Sequence, residues 1–147
     1  MEWLRNELCI TTDQSRMPVD AIHAFLTADS TWARGISRET VARSMQHSLC
    51  FALLDGAALA GFARVISDRA TIAYLGDVFV VKSRRGKGLA KWLMECVMAH
   101  PDLQGMRRWI LVTADAHGLY RQFEFTALQL PDRFMELHNP NAYAAPA

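Results

Sequence analysis

Apolar residues come in short blocks along this chain, each closed off by polar, glycine or proline positions, and the blocks spell out an ordered series of strands and helices. A first strand is expected around Glu7–Thr12. Pro18–Leu26 reads as a short helix with Pro18 in its first turn, where proline's missing N–H is no loss. Ser37–Met45 reads as a second helix: Ser37 is the natural N-cap, and Glu39 sits where the dipole favours an acid. Ser48–Leu54 and Ala58–Ser67 are strands joined at Asp55-Gly56, a strong type I′ hairpin signal. A third strand of this set runs from about Thr71 to Val81. The amphipathic helix that follows stops near His100-Pro101, where proline blocks continuation. Arg108–Thr113 is a strand, too short and too β-branched for a helix, and Ala116–Phe123 is a short helix. Phe125 to about His138 is expected to hold one or two more strands, and Asn139–Ala147 to be a loose terminus.

These elements sum to an α+β class: hairpins around a strand–helix–strand unit in a mixed sheet, within a single domain over residues 1–147. The crossover from about Thr71 to Thr113 should be parallel and right-handed. A formal net charge of +1 argues against a dedicated binder of nucleic acid or of a membrane surface. No apolar run approaches the roughly 18 residues of a membrane span, and the N-terminus lacks a signal pattern. Cys9, Cys50 and Cys96 are far apart and read as reduced, buried thiols of a cytoplasmic protein. The histidines are scattered without metal-ligand spacing, so no metal site is expected.

Chemistry concentrates in the stretch from Val80 to Leu93. An apolar strand runs into the basic turn Lys82-Ser83-Arg84-Arg85-Gly86-Lys87-Gly88, and the turn runs straight into a helix. A helix N-terminus offers unpaired N–H donors and partial positive charge, and glycines let the backbone close around a phosphate. A P-loop requires Ser or Thr after Gly-Lys, and here Gly88 follows Lys87. A dinucleotide fingerprint requires a third glycine or alanine, and Lys91 occupies that position. Arg85-Gly86-Lys87-Gly88-Leu89-Ala90 instead matches the form (Gln or Arg)-x-x-Gly-x-(Gly or Ala) behind Val80-Val81. Downstream, Thr113-Ala114-Asp115-Ala116-His117-Gly118-Leu119-Tyr120 closes with Arg121-Gln122-Phe123-Glu124-Phe125.

The first of these segments resembles the acyl-CoA pyrophosphate loop of the GNAT superfamily of N-acetyltransferases. The second resembles that family's strand end and its helix bearing Leu-Tyr-x-x-x-Gly-Phe. The likeness runs from about Glu7 to Leu137, with two departures: Glu124 stands at the usual glycine, and Thr113 where asparagine is common. It implies a central mixed, mostly antiparallel sheet with a splayed parallel strand pair, flanked by helices. It implies acetyl-CoA as co-substrate and an amine acceptor, carried either by a small molecule or by a protein, in a monomer or homodimer.

The resemblance places the cofactor arm along Phe79, Val80 and Val81, with a backbone N–H near Val80 polarising the thioester carbonyl. It places the pyrophosphate on N–H groups among Arg85, Gly86, Lys87, Gly88, Leu89 and Ala90, and a further polar contact at Thr113. Tyr120 is the candidate general acid, since a phenol of pKa near 10 can donate to a thiolate whose parent thiol lies near 8.5. Asp77 is the candidate carboxylate for deprotonating the amine, or else a structural partner of Arg64. Trp32, Phe51, Arg64 and His117 are candidate acceptor contacts; each also reads as an ordinary core or surface residue. A non-catalytic acyl-CoA sensor and, more remotely, an RNA- or anion-binding module are the alternatives.

Overall fold

Six strands form one sheet in the order β1-β2-β3-β4-β5-β6 in the computed structural model, which describes residues 1–144. The strands are β1 (Glu2–Arg5), β2 (Leu8–Thr11), β3 (Leu49–Asp55), β4 (Ala58–Ser67), β5 (Ile72–Val80) and β6 (Arg108–Leu111). The helices are α1 (Val19–Ala24), α2 (Arg38–Gln46), α3 (Leu89–Ala99) and α4 (His117–Arg121). Neighbours from β1 to β5 are antiparallel, and β5 and β6 are parallel across the α3 crossover, as expected. No helix among the described residues is long and apolar enough to cross a membrane.

The central strand β3 is apolar at every position from Leu49 to Leu54 because both its faces are covered. Leu49, Phe51 and Leu53 pack with Trp92, Leu93 and Val97 of α3. Cys50, Ala52 and Leu54 pack with Ile22, Leu26, Val41 and Met45 of the α1–α2 layer. The three cysteines are free and buried. Ser37 caps α2 as expected, its hydroxyl accepting from the Thr40 N–H at 3.1 Å. Helix α3 ends at Ala99, before His100-Pro101.

Four expectations require correction. The chain opens with an extra strand, β1, turned onto β2 through Asn6 in the left-handed region (φ 55°); Glu2–Arg5 is too short and too exposed to show alternation. The β3–β4 turn is centred on Gly56-Ala57, since Asp55 pairs with Ala58. Only Gly56 has positive φ there (59°), which is the II′ rather than the I′ pattern. No strand forms between Phe125 and His138: Pro131–Arg133 makes a 3-10 turn, and the segment adds no strand to the open edge of β6. The expected loose terminus is docked, because the Tyr143 carbonyl lies 2.7 Å from where a Cβ on Gly35 would stand. Residues 145–147 of that expectation lie outside the described residues.

Candidate active site

The sheet opens along its parallel pair. Rungs between β5 and β6 run only from Ile72 opposite Arg108 to Leu75 opposite Leu111; from Gly76 to Val80, β5 continues without that neighbour. A bulge lies at the same place. Arg64 pairs with Gly76 and Phe62 with Phe79, so Asp77 and Val78 together face Ala63. Asp77 absorbs the extra residue in the left-handed region (φ 52°), a conformation aspartate tolerates better than most.

One inserted residue inverts the alternation. Before it, Ala73 and Leu75 face α3; after it, Val80 faces α3, and Phe79 points to the α1 side. There the Phe79 ring stacks on Phe25 at 3.8 Å between centroids, which holds the bulged strand. The Val81 N–H donates to the Ala60 carbonyl at 2.9 Å, so the backbone groups of Val80 face the opening instead. The Arg85 Nε donates to the Val80 carbonyl there at 3.0 Å, which leaves the Val80 N–H as the free donor.

Beyond Val81 the chain makes a 3-10 turn, Lys82–Arg84, and passes Gly86 (φ 79°) and Gly88 (φ 73°) into α3. Both glycines adopt conformations that a side chain would strain, and both face open space. Gly88 is the N-cap and brings no side-chain acceptor, so the first N–H groups of α3 have no cap. Leu89 is buried in the core, and Lys87 is exposed. Arg84 is ion-paired with Asp55 at the β3 hairpin, which ties the loop to the sheet and takes that arginine out of the pool of free cations.

Tyr120 lies on α4, in the core cluster that holds Val80 and Leu89, and only 8% of its surface is exposed. Its ring meets Phe125 edge-on at 5.9 Å. Burial, seconded by the charge of Asp115, raises the phenol above its ordinary pKa. The hydroxyl is not a sealed, unsatisfied group and has no protein partner among the described residues. Thr113 caps the turn that carries Tyr120: its hydroxyl accepts from the Ala116 N–H at 3.0 Å. This local role accounts for Thr113 without a cofactor contact. Glu124, at the family's glycine position, adopts φ 69°. It closes α4 with two backbone bonds, Phe125 N–H to Tyr120 C=O and Glu124 N–H to Arg121 C=O, the Schellman arrangement. The turn expected of glycine is therefore kept.

Three residues singled out from sequence meet on the α1–α2 face of the sheet, at the bulge beside the opening. The Asp77 Oδ2 accepts from the Arg64 Nε at 2.8 Å, and its Oδ1 accepts from the Trp32 indole N–H at 2.8 Å. The Arg64 guanidinium also donates to the Ser48 hydroxyl at 3.0 Å, and Ser48 donates to the Ser44 carbonyl at 2.6 Å. Trp32 keeps half its surface exposed beside Asp77. Ser48, which carries no distinguishing signal in the sequence, is the hidden member of this chain. Both Asp77 oxygens are engaged, which is the partnership with Arg64 expected as the alternative to a catalytic carboxylate, with Trp32 added.

Two acceptor candidates fall elsewhere. Phe51 is fully buried on the α3 side, stacked with Trp3 at 6.0 Å and edge-on to His100 at 5.6 Å, so it is core and lines no cleft. His117 is exposed at the start of α4 and makes no hydrogen bond to the Trp32–Asp77–Arg64 group. The tail brings a feature the sequence did not announce: Pro140 and Tyr143 line an open pocket of about 270 Å³ with Thr31, Trp32 and Arg34.

Residues 16–125 match the model of the Acetyltransferase (GNAT) family. A Gibberella zeae protein named for acetyltransferase activity is 28% identical over 140 residues, which cover 80% of this chain and 78% of that protein. The crystal structure of a protein assigned to the GNAT acetyltransferases from Xanthomonas campestris pv. campestris matches with a TM-score of 0.91 and 48% identity, over 94% of this chain and 97% of that one. A Clostridium acetobutylicum acetyltransferase solved with acetyl-CoA shares the fold at a TM-score of 0.66 and 13% identity, over 89% and 94% of the two chains.

Proposed function

Since the chain belongs to the GNAT family of acetyltransferases, we propose that it transfers the acetyl group of acetyl-CoA to a primary amine by direct attack, with both substrates bound at once. One observation carries the reading: the unpaired edge of β5 leads, through the Lys82–Arg84 turn and the Gly86 and Gly88 loop, to the uncapped N-terminus of α3. An extended pantetheine arm bonds to such an edge as an extra strand would, and a pyrophosphate suits such a terminus. Acetyl-CoA supplies the activated acetyl thioester.

The backbone from Phe79 to Val81 would hold the arm, and the free Val80 N–H would stabilise charge developing on the carbonyl oxygen. The N–H groups from Gly86 to Ala90 would bind the diphosphate, with Lys87 adding charge. The Tyr120 hydroxyl would give its proton to the departing sulfur as the C–N bond forms and the C–S bond breaks. Its raised pKa keeps that proton in place at neutral pH. Trp32, Asp77 and Arg64 would form the acceptor wall, with Asp77 positioning the amine side and solvent taking the amine proton.

Calorimetry with acetyl-CoA, followed by thiol release across a panel of amines, tests this. Saturable binding and amine-dependent release of CoA are expected. No binding at millimolar cofactor would defeat the proposal, and binding without turnover on any amine would make the protein an acyl-CoA sensor.

A further inference from the structure

The loop between α1 and α2 holds an arginine in place through a buried serine. The Ser30 N–H donates to the Phe25 carbonyl at 2.9 Å, and its hydroxyl donates to the Leu26 carbonyl at 2.6 Å. The same hydroxyl accepts from the Ala33 N–H at 3.0 Å, and the Gly35 N–H closes the loop on the Thr27 carbonyl at 3.1 Å. The Ser30 carbonyl in turn accepts from the Arg34 Nε at 3.0 Å. Among the described residues the terminal nitrogens of Arg34 enter no hydrogen bond and no ion pair. The tail closes on this loop at Gly35. A Cβ there would stand 2.7 Å from the Tyr143 carbonyl, and φ is 83°, so glycine is what admits the approach. The pocket of about 270 Å³ lies where loop and tail meet, and Arg34 is the only charged side chain among the described residues that line it. Trp32 joins this pocket to the opening in the sheet, since it lines the one and its indole N–H is bonded to Asp77 beside the other.

We propose that this pocket takes an oxyanion, a carboxylate or a phosphate, carried by the same molecule whose amine enters the opening. The inference rests on the acetyltransferase reading and narrows its acceptor to amines that bear an acidic group. With Nε committed to Ser30, the two terminal nitrogens present a fork that matches a pair of anionic oxygens with parallel hydrogen bonds. Holding the guanidinium beforehand lowers the entropy lost when the anion binds. The lining supplies no carboxylate to compete, and the part-exposed rings of Trp32 and Tyr143 offer apolar surface to the atoms that join amine and anion.

Matched acceptors test this: 4-aminobutyrate against propylamine, L-phenylalanine against phenethylamine, and phosphoethanolamine against ethylamine, each pair differing by its acidic group. In at least one pair the acidic member should have a kcat/KM at least tenfold higher, and the pair that shows it tells carboxylate from phosphate. Arg34→Gln should cut that preference below threefold, and Arg34→Lys, which keeps the charge and loses the fork, should fall between. Calorimetry of the three acidic amines onto the protein with CoA present reads the pocket without turnover: one of them should bind saturably, and Arg34→Gln should weaken it at least tenfold. A preference absent from all three pairs, or intact in Arg34→Gln, overturns the proposal. If no amine is acetylated at all, the acetyl-transfer reading falls separately and the calorimetry decides alone: anion binding lost in Arg34→Gln upholds the pocket, and its absence or indifference to the variant overturns it.

Discussion

Two regions beside the opening in the sheet are held by different materials. On the β5–α3 side the candidate contacts are backbone groups: the free Val80 N–H, the left-handed glycines, and the first N–H groups of α3. On the Trp32 side they are side chains, joined in one line from the Trp32 indole through Asp77 and Arg64 to Ser48. Backbone groups stay put under most substitutions, because the fold places them. A line of side chains depends on every member, and loss of one leaves a largely buried charge without its partner. The first arrangement suits a cofactor that does not vary, and the second suits an acceptor that differs from protein to protein.

The largest expected effect tests the one side chain assigned to chemistry on the backbone-built side. Tyr120→Phe should lower kcat by about 100-fold or more, the usual scale for a general acid, and leave acetyl-CoA affinity within about threefold. The phenol donates only while protonated, and burial raises its pKa above 10. Wild-type activity should therefore persist past pH 10 and fall above it, and the variant should lack that alkaline limb. A kcat within threefold of wild type would remove the side chain from the mechanism and leave that side as backbone alone.

A smaller effect tests whether the two sides are separable. Arg64→Leu strands Asp77 with only the Trp32 N–H, and should cost about 2 kcal/mol of stability by urea unfolding. It should raise KM for the amine by about tenfold, equivalent to 1.4 kcal/mol, without moving the Kd for acetyl-CoA. Equal losses in both constants would show that the sides are one mechanical unit, coupled through the bulge at Asp77.

The same division governs how much was legible before the structure. The glycine loop and the α3 start were readable because backbone conformation writes itself into composition: Gly86 and Gly88 are glycine because φ is positive. The bulge was not read, although a glycine and an aspartate inside an apolar strand, Gly76-Asp77, were its trace. The acceptor network was half readable. Trp32, Arg64 and Asp77 stood out as chemistry, but their meeting depends on pairing across β4 and β5 and on a loop from another layer. Phe51 was misjudged because a fully apolar strand does not declare which side chains face which layer. The tail was misjudged for a further reason: apolar alternation predicts a strand, but a strand forms only where the segment is laid along a ladder, and the Pro131–Arg133 turn interrupts this one.

The smallest expected effect has the opposite sign and falls on the backbone-built side. Glu124 closes α4 in the left-handed region, where a side chain costs roughly 1 kcal/mol that glycine avoids. The two Schellman bonds hold the turn regardless, and no hydrogen bond of the Glu124 carboxylate offsets the strain among the described residues. Glu124→Gly should therefore raise stability by about 0.5 kcal/mol, or roughly 1–2 °C in Tm, once the extra freedom of glycine in the unfolded chain is set against the relief. Because Tyr120 is placed by the bonds and not by the glutamate, kcat and the acetyl-CoA Kd should stay within about twofold, below ~0.4 kcal/mol. A loss of activity with no gain in Tm would mean that the Glu124 side chain acts on a substrate, and the cofactor side would then depend on more than its backbone.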